Sequence, residues 1–127
     1  RSRAIIWCGA LEDHEPIVVD TPASSIDILP TLCNLFGVEW DSRLYVGRDV
    51  LSDALPLVFF GNYDWKTDLG HYSTTGNIFT PTDENAVIPE DYVKQISSVV
   101  RNRMTFSKSV LSHDYYTHVY DAVSASE

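Results

Sequence analysis

Ser24-Ser25-Ile26-Asp27-Ile28-Leu29-Pro30-Thr31-Leu32-Cys33-Asn34-Leu35-Phe36-Gly37 is the stretch on which the fold turns. Ser24, Ser25 or Asp27 can cap free N–H groups, Pro30 falls near the first turn where a missing N–H does least harm, and Gly37 supplies a left-handed stop. Between these marks Ile28, Leu29, Leu32, Cys33, Leu35 and Phe36 cover a wide face, so a helix packed against a sheet is expected here. Upstream, residues 3 to 8 are a continuous apolar run ending at Gly9, the pattern of a strand buried on both faces of a parallel or mixed sheet. Ile17-Val18-Val19 is a short β-branched piece between the two. Strand, loop, extended piece and helix together read as the edge of an α/β layer.

Downstream the pattern changes. Residues 43–46, 57–60, 63–66, 70–73 and 77–80 are short segments separated by Gly, Asn-Tyr and Thr-Thr-Gly punctuation, which predicts an antiparallel meander with Leu57-Val58-Phe59-Phe60 as its central strand. From Pro89 the spacing becomes helical: Tyr92, Val93, Ile96, Val99, Val100, Phe106 and Val110 form one apolar stripe. Glu90 and Asp91 open that helix and Lys108 lies near its end, matching the helix dipole. Ser112 to Asp114 breaks it, Tyr115 to Tyr120 reads as a further helical turn or a strand, and Ala122 to Glu127 frays. The expected fold is therefore α/β: residues 1–55 as the edge of an α/β layer, and residues 56–127 as a small antiparallel sheet packed by a long amphipathic helix.

The chain has 127 residues, 44% hydrophobic and 12% aromatic, enough for one packed core. Eighteen Asp and Glu against nine Lys and Arg give a net charge of -9, so a polyanion meets repulsion and nucleic acid is excluded as a partner. No apolar run approaches the ~20 residues that cross a bilayer, so no membrane insertion by this segment is expected. The chain opens with Arg1-Ser2-Arg3 and passes straight into Ala4-Ile5-Ile6-Trp7-Cys8, which reads as a fragment cut just upstream of a buried strand. An isolated edge of that kind is expected either to self-associate or to leave residues 1 to 37 loose to proteolysis. Cys8 and Cys33 each sit in an apolar segment and are read as free buried thiols or as one disulfide, which leaves the redox compartment open.

Signals for chemistry are thin. Asp13-His14 is a pair of potential metal ligands, but it lies in a Pro-bounded loop with no second cluster, and a site needs three or four ligands. His71, His113 and His118 share no ligand spacing, and His113 reads as the end of the long helix. Ser24, Ser25 and Asp27 combine a hydroxyl with an acid, yet no GxSxG elbow surrounds them and capping explains both residue types. No phosphate-binding glycine loop occurs. Tyr63, Trp65, Tyr72 and Phe79 can be read as an aromatic groove for sugar or lipid headgroup, or as the cross-strand pairs a small sheet needs for its core. No catalytic, cofactor-binding or metal-ligating residue is assigned.

Several strings resemble a known family. Arg3-Ala4-Ile5-Ile6-Trp7 and Val19-Asp20-Thr21-Pro22-Ala23-Ser24-Ser25-Ile26-Asp27-Ile28-Leu29-Pro30-Thr31-Leu32 resemble a strand and the following helix in the C-terminal third of sulfatase-like enzymes of the alkaline phosphatase superfamily. Tyr45-Val46-Gly47-Arg48-Asp49-Val50-Leu51-Ser52, Phe60 to Asp68 and Phe106 to Tyr115 are similar to the tail of its lipoteichoic acid synthase branch. The resemblance implies a membrane-anchored enzyme on the extracellular face that transfers phosphoglycerol with a Thr nucleophile and a divalent metal, usually manganese. It places the nucleophile and the metal ligands upstream of the matched part, so this chain alone is expected to be inactive and to take the upstream part of the same polypeptide as its partner. Asp13-His14 departs from the position of the family's metal-binding pair. Gly61-Asn62-Tyr63-Asp64 departs from its Asn-Gly turn. A self-sufficient, non-catalytic cell-surface binding module using the Trp65 and Tyr72 region is the alternative.

Overall fold

Trp65 is fully buried, and the second half of the chain is arranged around it. The computed structural model describes residues 3–9 and 14–124. Strands β1 (Val58–Phe59), β2 (Trp65–Lys66), β3 (Gly70–Ser73) and β4 (Ile78–Pro81) form a four-stranded antiparallel sheet in chain order. Two tight turns set the register: Tyr63 N–H donates to the Phe60 carbonyl at 2.9 Å, with Tyr63 at φ 67, and Asn77 closes the β3–β4 turn at φ 51. That register pairs Trp65 with Phe59 and Tyr72, and Tyr72 with Phe79. Cross-strand partners share a face, so the aromatic rings collect on one side of the sheet. The Trp65 ring stacks on Tyr72 at 5.3 Å and meets Phe79 at 5.7 Å. Gly70 permits this, since a Cβ there would stand 2.5 Å from the end of the Phe79 ring.

Helix α2 (Tyr92–Ser112) covers that aromatic face. Tyr92, Ile96 and Val100 recur every fourth residue, are buried, and pack with Leu57 and Trp65 as one core. Two hydrogen bonds satisfy the polar atoms that this packing removes from water. The Trp65 indole N–H donates to Ser97 Oγ at 3.0 Å, and the Tyr92 hydroxyl donates to Thr67 Oγ1 at 2.8 Å. After His113 and Asp114, the latter at φ 48, helix α3 (Tyr115–Ser124) begins. The Tyr116 hydroxyl donates to the Leu44 carbonyl at 2.9 Å, tying the end of the chain to its first half.

Three expectations for this half change. Residues 57–60 supply an edge strand, because β1 pairs only with β2. Residues 43–46 form no strand; a 3-10 turn over Ser42–Leu44 takes the backbone, with Leu44 N–H bonded to the Asp41 carbonyl at 3.0 Å. Phe106 is 44% exposed: Met104, four residues after Val100, takes the core-facing position, and Phe106 turns aside to meet the Tyr115 ring edge-on at 6.2 Å. The choice left open for residues 115–120 resolves as helix. Ala122 is helical, and residues 125–127 lie outside those described.

The first half departs further from its reading. Residues 3–8 form no strand, and Ile5, Ile6 and Trp7 are exposed. A strand exists only through a neighbour's N–H and C=O groups, and none of the described residues offers them. Helix α1 spans Ile28–Leu35, preceded by a 3-10 turn over Ser25–Asp27. Among the described residues no sheet lies against its apolar side. Both cysteines are free, Cys8 exposed and Cys33 half-buried, so neither is the fully buried thiol expected. Helices with one small antiparallel sheet make the fold mixed α/β.

Candidate functional site: an outward-turned apolar helix face

Helix α1 is held by its polar side. Pro30 and Thr31 are buried, while Ile28 (48%), Leu29 (50%), Leu35 (45%) and Phe36 (71%) are exposed. At about 3.6 residues per turn, Ile28, Leu32, Leu35 and Phe36 share one stripe with Leu29 beside it, and Pro30, Thr31 and Asn34 lie opposite. A helix on the surface of a closed domain shows the reverse arrangement.

The anchoring network explains the inversion. The buried Asp27 carboxylate accepts the Ser24 N–H at 2.8 Å on one oxygen and the Arg48 N–H at 2.9 Å on the other. Thr31 Oγ1 donates to the Asp27 carbonyl at 2.6 Å and accepts the Val50 N–H at 3.1 Å. Asn34 donates to Asp49 Oδ2 at 2.9 Å and accepts the Trp40 indole N–H at 2.7 Å. Residues 47–50 are thus laced along one side of α1. Gly47 is required for this approach, because any Cβ there would overlap the Ile26 carbonyl. The Arg48 guanidinium reaches the Pro22 carbonyl at 3.2 Å and the Asp49 carbonyl at 3.3 Å, while its Nε is buried without a partner. Beside Arg48 a shallow cleft of about 420 Å³ is walled by Val19, Leu51 and Pro56, with Asp20, Asp53 and Asp68 at its margin. Three carboxylates around one guanidinium make this cleft unsuited to an anion.

Asp13 lies outside the described residues, and His14 is exposed. His71 is on β3 and His118 on α3, both exposed, and His113 Nδ1 lies 3.0 Å from the Ser109 carbonyl at the end of α2. Among the described residues no group of three or more His, Cys, Asp or Glu converges on a metal-sized site. Of the three residues read as possible caps, Asp27 takes a free N–H, its carboxylate accepting from Ser24, while the Asp27 N–H donates to the Ser24 carbonyl at 3.1 Å and Ser25 begins the turn. Trp65 has 0% exposure and presents no ring face to a ligand; Tyr72 and Phe79 pack on it. Thr31, Arg48 and Asp49, which fix how α1 faces, escaped the sequence reading as a network. Their partners lie 15 to 21 residues away, beyond any local spacing rule. No helix among the described residues is long and apolar enough to cross a membrane. No family model matches the chain, and no curated protein or solved structure matches it.

Proposed function

We propose that the chain is the C-terminal scaffolding segment of a sulfatase-like phosphoglycerol transferase, similar to the lipoteichoic acid synthase branch. In this reading α1 and the apolar runs before it are the edge of an α/β layer, covered by the sheet of the upstream part of the same polypeptide. The carrying observation is the orientation of α1: its polar side is fastened to residues 47–50 and its apolar stripe is left free, as in a helix shaped before its sheet arrives. The upstream part supplies the nucleophile and the ligands for a divalent metal, for which manganese fits the resemblance, on the extracellular face of a membrane. The parent acts on a phosphodiester or a sulfate ester, and this segment on neither.

The test is the gene upstream of Arg1. An open reading frame encoding a Thr nucleophile and an Asp-His pair, whose product transfers phosphoglycerol from phosphatidylglycerol with manganese, supports the reading. A start codon close to Arg1 removes it. The complete core around Trp65 favours one alternative, a self-sufficient binding module. Saturable binding of the purified chain to glycerol phosphate polymer or sugar would select that alternative.

A further inference from the structure

We draw no further inference here: the strongest candidate, the shallow cleft beside Arg48 walled by Val19, Leu51 and Pro56, carries nothing, because Asp20, Asp53 and Asp68 form only an exposed acidic rim, the unpartnered Arg48 Nε is buried rather than open to the cleft, and nothing in the structure shows what would fill it.

Discussion

The indole N–H of Trp65 and the hydroxyl of Ser97 meet at 3.0 Å, joining the most deeply buried ring of the sheet to the helix that covers it. Trp65 has no exposure, so its N–H has no water to turn to if Ser97 is removed. Ser97→Ala should therefore destabilise the chain by about 1 to 3 kcal/mol, the cost of a buried unsatisfied donor. Urea unfolding followed by tryptophan fluorescence measures it. A midpoint unchanged from the native chain would show that the bond contributes nothing.

The sheet and α2 form one cooperative unit. A two-to-four-stranded sheet does not persist in water with its apolar face bare, and a helix gains most of its stability from the stripe it packs. Ile96, 6% exposed, lies at the centre of the contact with Leu57 and Trp65. Ile96→Ala should cost about 2 to 5 kcal/mol and raise exchange of amides in β2, β3 and α2 together. Loss of protection in α2 with full protection of β3 and β4 would separate the two.

This second half was legible because its signals are local. Gly and Asn turns, an alternating aromatic pattern and a stripe at helical spacing identify β2 to β4 and α2, and they name Trp65, Ile96 and Val100 as core. The first half was legible only as pattern. The apolar residues of α1 mark a stripe, but spacing cannot say whether that stripe or its opposite meets the rest of the fold. The decision rests on Asp27 with the Arg48 backbone and on Thr31 with the Val50 backbone, contacts across 21 and 19 residues. Residues 3–8 carry strand composition, but a strand also needs a neighbour, which composition does not provide.

Asp27 is predicted to hold the first half alone. Replacing it by Ala strands the Ser24 and Arg48 N–H groups and frees the loop over residues 47–50 from the start of α1. Asp27→Ala should cost about 1 to 3 kcal/mol in that region, seen as loss of exchange protection over residues 28–35, with the core around Trp65 unchanged. Equal loosening of β3 and α2 would mean that the halves unfold as one.

Asp64 makes stability depend on acid. Its carboxylate accepts the Thr74 N–H and the Thr74 hydroxyl, each at 2.7 Å, closing the sheet's β1–β2 end onto the β3–β4 turn. The Thr74 backbone N–H, then its hydroxyl, favour the ionised form and hold the carboxyl below its ordinary value of 3.8. A depressed folded pKa gives stability that is fully present above the unfolded value and is lost as pH falls through the folded one. The native chain should therefore be more stable than Asp64→Asn at about pH 7, and the gap should close only below 3.8. Urea midpoints for both proteins from about pH 7 to about pH 2 measure the gap. A constant gap down to the acid limit would show that the charge on Asp64 is immaterial; a gap that closes above about pH 5 would place the titrating group elsewhere.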